Sequence, residues 1–242
     1  MSTATPATSS RPQVSLSPIP ATHTTARALA TLHNAAFATD TFLELMYGPL
    51  DEEVDSFASD MVNIMRADPT ARFTQAVVTT TSSDTETEHE TLVGWSWWNI
   101  YPDRQSYLEA AKEDKERARK VPSTALNPAA YLDWKAEVVE RRERWIENNI
   151  NLGKDEGPGV AILQVLVIHP DYQNRGIGTQ LLNHGLEEVE RLKLPAWLEA
   201  SDEGVHVYMK CGFRDVQDDI VIDMKKYGRA GLRNGICMLR DA

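Results

Sequence analysis

The residues with the clearest chemical potential are the glycines of segment 173–178, Gln-Asn-Arg-Gly-Ile-Gly, which follows an apolar run and opens an amphipathic helical pattern. A glycine-rich turn at the start of a helix presents free backbone N–H groups and the positive end of the helix dipole, and both favour phosphate oxygens. Gly176 and Gly178 have no Cβ, so the backbone can come close to a ligand. The segment therefore predicts a site for a phosphate-containing ligand.

Two common phosphate-binding motifs fit this segment poorly. The dinucleotide pattern G-x-G-x-x-G requires a glycine at position 181, which is leucine, and the lysine of a P-loop is absent. These departures weaken both nucleotide interpretations, and a dinucleotide-binding domain is kept as one alternative.

The histidines and cysteines indicate no further chemistry. The six histidines show no H-x-x-x-H spacing with supporting carboxylates, so we expect no metal site. We expect His169 and His206 to be surface or structural residues, and Cys211, which has no placed histidine partner, to be a small buried side chain. With Cys211 and Cys237 alone the chain cannot form a disulfide framework, which favours a reducing compartment.

The elements that must position the glycine segment lie on both sides of it. An unbroken apolar strand is predicted at 160–168, and the helix after the segment has one apolar side, formed by Ile177, Leu181, Leu182, Leu186, Val189 and Leu192. A short strand at 196–199, a helix at about 203–210 and strands around 216–224 and 236–239 complete the chain.

The first hundred residues predict a mixture of helices and strands. Residues 1–13, rich in Ser, Thr, Pro and Ala, are expected to be a disordered tail. A strand at 14–19 and two amphipathic helices, from Thr25 and from about Glu52, precede strands at 73–81 and 91–101 that form a hairpin around a polar turn at 82–90. Asp51 is expected to cap the second helix and Pro69 to bound its end.

Alternation in the second hairpin strand puts Trp95 and Trp97 on one face and Trp98 on the other, mostly as core residues. The charged residues 103–151 then predict helices with one apolar face. This segment is longer than a usual connection, which favours a lid or substrate-shaping insertion. A helical buttress or a homodimer surface is an equally good interpretation.

Two motifs carry a resemblance to a known family. Segment 166–178 resembles the acyl-CoA loop of the GNAT superfamily of N-acyltransferases, whose pattern is Gln/Arg-x-x-Gly-x-Gly/Ala, and Tyr208-Met-Lys-Cys-Gly-Phe213 resembles its Tyr-x-x-x-Gly-Phe ending. The resemblance is specific over 160–224 and loose upstream. Segment 197–201 with Gly204, and the tail at 226–228 and 238–240, are most similar to a fungal branch.

The resemblance implies an α/β fold over residues 14–242, in which helices flank a mixed, strongly twisted sheet whose fourth and fifth strands splay to admit the cofactor. It implies acetyl-CoA as the acyl donor. The implied cofactor-binding residues are Leu166, Val167 and Ile168 beside the pantetheine arm, Gln173, Asn174, Arg175, Gly176, Ile177, Gly178 and Thr179 around the pyrophosphate, and Ser201, where many relatives have an asparagine.

The same resemblance implies direct attack of an amine on the thioester. Tyr208 matches the family tyrosine that protonates the leaving thiolate. The position where relatives often carry a glutamate is Gln164, which cannot accept a proton. We therefore take Glu199 as the candidate base, with a pKa raised at a strand end facing a cleft, although it could equally cap the next helix with Ser201.

The expected function is transfer of an acetyl group from acetyl-CoA to a primary amine, preferably of a small molecule because the insertion would crowd the cleft. Gln164 and Ser201 motivate an alternative, a non-catalytic acyl-CoA-binding or regulatory module. A protein N-acetyltransferase is a further alternative.

The formal net charge of −11 disfavours a nucleic-acid partner and favours a cationic amine. The first residues contain no apolar run typical of a signal peptide, and no stretch approaches the roughly 18 apolar residues of a membrane span. We therefore expect no membrane partner and a cytoplasmic location, or a cytoplasmic and nuclear one.

Overall fold

In a computed structural model that describes residues 13–81, 88–150 and 157–242, helices cover both faces of a mixed eight-stranded sheet. The strands are β1 Gln13–Pro18, β2 Ala71–Thr81, β3 Glu88–Asp103, β4 Pro158–Ile168, β5 Ala196–Ala200, β6 Arg214–Asp215, β7 Ile220–Asp223 and β8 Leu232–Arg240. The helices are α1 His23–Ala36, α2 Thr41–Tyr47, α3 Val54–Ala67, α4 Arg104–Arg117, α5 Pro128–Arg142, α6 Ile177–Leu192 and α7 Val205–Lys210. A π-helical segment, Glu143–Ile150, continues α5.

The sheet has the order β1-β2-β3-β4-β5-β8-β6, with β7 also paired to β8. All neighbours are antiparallel except β4 and β5, which are parallel. Their pairing ends almost at once, because only Ala161 with Ala196 and Ile162 with Trp197 are in register. The predicted mixed sheet flanked by helices is confirmed, and so is the splay of the fourth and fifth strands.

The two faces of the sheet carry different layers. On one face α6 packs Leu182 and Leu186 against Trp98 and Leu163. On the other face α1 and α3 cover Trp95. Beside them α2, α4 and α5 cover the part of the sheet that contains Trp197, with Phe42, Tyr107 and Tyr131 in the same cluster. The predicted helices of residues 103–151 are therefore a layer that packs on the sheet.

The tryptophan alternation in β3 is confirmed. Trp95 and Trp97 both stack on Phe73, with ring centroids 6.2 and 5.1 Å away. Trp98 points to the opposite face, where its ring lies so close to Gly185 of α6 that a Cβ there would be 2.2 Å from its Nε1. Trp95 and Trp98 are fully buried core residues.

Some local predictions were wrong or fall outside the described residues. Asp51 does not cap α3, because a 3-10 helix at Leu50–Glu53 precedes it and the N-cap, Glu53, makes no side-chain capping bond. Helix α2 was not predicted; Asp40 caps it by accepting from the amides of Phe42 and Leu43.

The predicted tail is one residue too long, since Gln13 begins β1, and its residues 1–12 lie outside the described range. The hairpin of β2 and β3 is confirmed, although most of its predicted turn, 82–87, is also outside that range.

Candidate active site

The glycine segment forms an exposed loop between β4 and α6. After a 3-10 turn at Pro170–Tyr172, the side-chain Nε2 of Gln173 donates to the Ile168 carbonyl at 3.2 Å. Asn174 and Gly176 then take left-handed conformations, with φ of 58° and 82°. Gly176 is the N-cap of α6, and Ile177 is buried in a cluster with Ala76, Val93 and Leu181 of the sheet and helix. One buried side chain thus anchors a turn whose other residues face outward.

The loop offers backbone donors. Within the described chain, no backbone or side-chain acceptor takes the amide N–H groups of residues 174–179. The first N–H groups of a helix have no partner inside it and lie at its positive end. No heavy atom lies within 4 Å of the position of a Cβ on Gly176, so the space beside this residue is open. The loop is therefore suited to a phosphate or pyrophosphate group.

Arg175 adds a positive charge to this surface. Its guanidinium carbon lies 5.1 Å from the centre of the Tyr172 ring. Among the described residues it has no carboxylate partner within ion-pair distance. Its side chain is thus positioned by an aromatic ring and is free to bind an anion.

The last residues of β4 leave one backbone edge open. Leu166, Val167 and Ile168 pair with Ser96, Trp95 and Gly94 of β3, while β5 has already diverged after Ile162. The edge that faces β5 can therefore bind an extended ligand arm. It leads directly into the loop, which places the predicted pantetheine and pyrophosphate residues along one surface.

Ser201 and Tyr208 lie on the other side of the splay. The Ser201 hydroxyl accepts from the Gly204 amide at 3.3 Å, in the turn that leads from β5 into α7. Tyr208, on α7, packs edge-on against Phe213 with centroids 6.1 Å apart. Its ring lies in an apolar cluster with Ala200 of β5 and Leu166 of β4, the two strands that border the splay.

The chemistry of Tyr208 is that of a neutral donor. Burial raises the pKa of its phenol because a phenolate would lose its hydration in this apolar cluster. No hydrogen bond joins its hydroxyl to another described residue. The phenol can therefore donate to a ligand atom without breaking an existing bond.

Glu199 lies in a different environment from the predicted one. Both carboxylate oxygens are engaged by Arg142 of α5, through Nε at 2.9 Å and Nη2 at 2.7 Å, and Trp197 Nε1 donates at 2.6 Å. Burial alone would raise the pKa of Glu199, but the ion pair and these hydrogen bonds outweigh it and the pKa is lowered. The expected raised pKa is therefore wrong. The capping alternative is also wrong, since the N-cap of α7 is Gly204.

Arg142 extends this pair into a chain of hydrogen bonds across the sheet. It donates to Gln164 Oε1 at 3.3 Å, Gln164 donates to Asn99 Oδ1 at 3.2 Å, and Asn99 donates to Asp68 Oδ2 at 2.8 Å. Every donor points from the cation Arg142 toward the anion Asp68, an arrangement that strengthens each bond. Gln164 is the extra residue of a bulge in β4, opposite the step between Trp97 and Trp98.

The two predicted catalytic residues do not meet. Alternation along β5 puts Leu198 and Ala200 in the cluster under α6, and Trp197 in the cluster under α5. Glu199 thus faces α5, whereas Tyr208 packs on the α6 side. Sequence reasoning missed Arg142, which is 57 residues from Glu199 and is one of several arginines in a charged segment. No local pattern distinguishes it.

Within residues 13–81, 88–150 and 157–242, no cluster of three or more His, Cys, Asp or Glu could hold a metal ion. The helices of the same residues are too short or too polar to cross a membrane.

Comparisons with known proteins concern the family of this segment and the fold of the chain. The family model of the acetyltransferase (GNAT) domain matches residues 138–215, which span the end of α5, the splay, the loop, α6 and α7. No curated protein sequence matches the chain significantly.

Several solved structures share the fold at low sequence identity. An agmatine N-acetyltransferase has a TM-score of 0.63 at 10% identity, with 95% of this chain and 99% of that chain covered. A mosquito arylalkylamine N-acetyltransferase like 5b has a TM-score of 0.60 at 11% identity, with 95% and 100% covered. A histone acetyltransferase HPA2-related protein from Corynebacterium glutamicum has a TM-score of 0.52 at 16% identity, with 95% and 97% covered. Residues 138–215 therefore match the model of an acetyltransferase (GNAT) domain, and the chain has the fold that these acetyltransferases share.

Proposed function

We propose that this protein transfers an acetyl group from acetyl-CoA to a primary amine of a small molecule. The observation that carries the proposal is the continuity of two unfilled backbone surfaces, the open edge of β4 and the free amides of residues 174–179. Together they match a ligand with an extended polar arm and a pyrophosphate.

Each part of the site has a role in holding this donor. The backbone of Leu166, Val167 and Ile168 would pair with the pantetheine arm, as an added strand does at a sheet edge. The amides from Asn174 to Thr179 would bind the pyrophosphate, and Arg175 would add charge. Gln173 holds the loop to β4 through the Ile168 carbonyl. Across the splay, Ser201 holds the turn between β5 and α7 by accepting from the Gly204 amide.

Tyr208 is the proposed acid. As the amine attacks the thioester carbon, the C–S bond breaks and negative charge develops on sulfur. A phenol with a raised pKa keeps its proton until that charge appears, and then donates it. The packing of its ring with Ala200 and Leu166, on the two strands that border the splay, supports this role.

The insertion supports a small acceptor. Helix α4 packs on β3 and β4, and α5 packs on α2 and β7, so the two helices cover the face of the sheet beside the splay. The agmatine and arylalkylamine enzymes with the same fold act on small amines by name. One structure with the same fold is related by name to a histone acetyltransferase, so a protein acceptor is the alternative.

Several broader assignments belong to the same proposal. Residues 14–242 would form one acyltransferase domain of a fungal type, with 160–224 as its cofactor and catalytic core, and the protein would act in the cytoplasm or nucleus.

Thiol release from acetyl-CoA, measured with a panel of small amines and N-terminal peptides, tests the proposal. We expect sustained release with at least one small amine, and an acetylated product by mass spectrometry. Tight CoA binding without turnover for any amine would instead support the non-catalytic module. A larger thermal shift with NAD than with CoA would support a dinucleotide-binding domain.

A matched pair of variants ties the activity to the loop. Gly178→Leu should weaken CoA binding strongly while the fold persists, because a Cβ on Gly178 meets only Ile168 Cγ1, at 3.7 Å. Gln180→Leu, at an exposed position in the same turn of α6, is the control and should bind CoA normally. Equal CoA affinity for both variants would contradict the assignment of the loop.

A further inference from the structure

We propose that the acceptor is a weakly basic amine, which reaches the thioester already neutral, so that the protein does not have to deprotonate an ammonium. The inference rests on the proposed acetyl transfer and narrows its substrate class. Three features carry it: the engagement of Glu199, the engagement of Gln164, and the apolar surroundings of Tyr208.

The first feature is the occupancy of the Glu199 oxygens. Oε1 accepts from Arg142 Nε and Trp197 Nε1, and Oε2 accepts from Arg142 Nη2. To act as a base, this carboxylate would have to release a bidentate partner while only 9% of its side chain is exposed. Leaving Arg142 unpaired and buried would oppose that release.

The other groups around this pair are poor bases or are engaged themselves. The titratable groups that interact with Glu199 or Arg142 are Lys135 on α5, Tyr107 and Asp114 on α4, Tyr101 on β3 and Cys237 on β8. Burial raises the pKa of Tyr101, Tyr107 and Cys237, which keeps all three protonated. Asp114 forms an ion pair with Arg117 at 3.2 Å.

The four charged groups nearest this pair offset one another. Arg142 and Lys135 are two cations, and Glu199 and Asp114 are two anions. Within this set of four, a cationic ammonium would meet no surplus of negative charge, in spite of the net charge of −11 of the whole chain.

The second feature is Gln164, the bulge residue of β4. Its carbonyl accepts from Arg142 and its amide donates to Asn99. An amide cannot take a proton at neutral pH, and both ends of this one are held in place.

The third feature is the setting of Tyr208. Its described neighbours in the cluster under α6 are apolar, among them Ala200, Val205 and Phe213. The phenol can supply a proton to sulfur, and burial alone raises its pKa, with no contribution from a charged group of the described residues.

A neutral amine removes the need for such a group. When R–NH2 attacks the thioester, the N–C bond forms and the C–S bond breaks, and nitrogen loses one proton while sulfur gains one. Tyr208 gives its proton to sulfur as the C–S bond breaks, and its phenolate then takes the proton that nitrogen loses, so the phenol is restored and the products are the amide R–NH–CO–CH3 and the thiol of CoA. An ammonium carries one proton more, which must be lost before the attack and for which this step offers no acceptor.

The expected substrates are amines with a low pKa, namely arylamines and hydrazines, which are largely neutral near pH 7, and α-amino groups, which are partly neutral. An α-amino group with a pKa of about 8 is roughly one-tenth neutral at pH 7, whereas an alkylamine with a pKa of about 10.4 is neutral in only about 1 molecule in 2,500. This difference predicts about a 250-fold preference in kcat/KM from ionisation alone.

The experiment is a pH profile of kcat/KM from pH 6 to 9.5 for amines of graded basicity but similar size. We expect the rising limb of each profile to follow the pKa of the amine itself, and the profile of an arylamine to be flat. A limb at the same pH for every acceptor, or equal turnover of alkylamines and arylamines at pH 7, would overturn the inference while the proposed acetyl transfer stands. If no amine releases thiol, the proposed function fails instead.

Glu199→Gln gives a second readout. The side-chain carbonyl of the substituted amide can still accept from Arg142, so the variant should fold, and its profiles should keep the same acceptor-dependent limbs. A profile that loses its rising limb in this variant would identify Glu199 as a base and overturn the inference.

Discussion

The loop at 173–178 and the chain of hydrogen bonds from Glu199 to Asp68 lie at the same splay but are built in opposite ways. The loop uses neighbouring residues and presents backbone N–H groups. The chain joins side chains from β5, α5, β4, β3 and the end of α3. Since backbone groups are the same in every residue, the loop depends on conformation, whereas the chain depends on the identity of each side chain. Substitutions in the two regions should therefore have different effects, mainly on CoA affinity in the loop and mainly on stability in the chain of hydrogen bonds.

The largest expected effect tests whether Tyr208, on the α6 side of the sheet, takes part in the chemistry. Tyr208→Phe should lower kcat by about 10²- to 10⁴-fold, the usual contribution of a general acid. CoA affinity and stability should change little, because the hydroxyl bonds to no other described residue.

Tyr227→Phe is the matched control for the loss of a phenol hydroxyl. The Tyr227 hydroxyl donates to Asp133 at 2.6 Å, so its removal should cost about 1.5–3 kcal/mol of stability and leave turnover intact. Steady-state kinetics and urea denaturation of both variants are the measurements. Unchanged kcat in Tyr208→Phe would remove this residue from the mechanism.

The next effect tests the chain of side-chain hydrogen bonds from Glu199 to Asp68. Arg142→Met leaves Glu199 buried without its cation, and should cost about 3–5 kcal/mol in the free energy of unfolding. The exposed pair of Arg27 and Asp55, with 57% and 63% of the side chains accessible, provides the control, and Arg27→Met should cost at most about 1 kcal/mol.

The double variant Arg142→Met with Glu199→Met checks the cause of that loss. Because it removes both charges, it should recover most of the lost stability, measured by urea denaturation. Equal losses in the single and double variants would mean that packing of the arginine stem, rather than the buried charge, is responsible.

A smaller effect tests the conformation of the loop. Gly176→Ala forces a residue with a Cβ to φ of 82°, which should cost about 1–3 kcal/mol. A loop that relaxes to avoid this strain should also lose at least about tenfold in CoA affinity, or about 1.4 kcal/mol.

Gly228→Ala is the matched control, since Gly228 also has a positive φ, of 74°, and open space around its Cβ position. It should lose similar stability and keep its CoA affinity by calorimetry. Loss of affinity in both variants would mean that the effect is not local to the loop.

The smallest effect is the pH dependence of the ion pair. The folded-state pKa of Glu199 is lowered, so its stabilisation should be complete above the unfolded value of about 4.3 and be lost as the pH falls through the lower folded value. The difference in unfolding free energy between the wild type and Glu199→Gln should thus be constant from pH 5 to 7 and shrink below pH 4. A raised pKa would give the opposite result, with stability lost as the pH rises above 4.3.

Much of the fold was predictable because its signals are local. The apolar run of β4, the alternation of Trp95, Trp97 and Trp98, and the periodic leucines of α6 all follow from the period of one element. The boundaries of α3 and the existence of α2 were not predictable, because a 3-10 turn and the Asp40 cap leave only weak signals in the sequence.

The candidate site divides in the same way. The loop residues and Tyr208 lie within contiguous motifs, so their types and spacing indicated them directly. Glu199 was placed correctly on its strand but in the wrong environment, since its pKa depends on Arg142, whose approach is set by the packing of α5 on the sheet.

The sequence by itself determined the glycine turn, the strand and helix that hold it, and the tyrosine on the following helix, because backbone conformation and periodicity are properties of neighbouring residues. Only the tertiary structure decided which side chains would share the interior of the splay. There, low exposure makes each charge depend on its partner, and the partner of Glu199 comes from a distant helix. The ionisation of that carboxylate is thus a property of the folded protein, and with it the class of amine we expect the protein to accept.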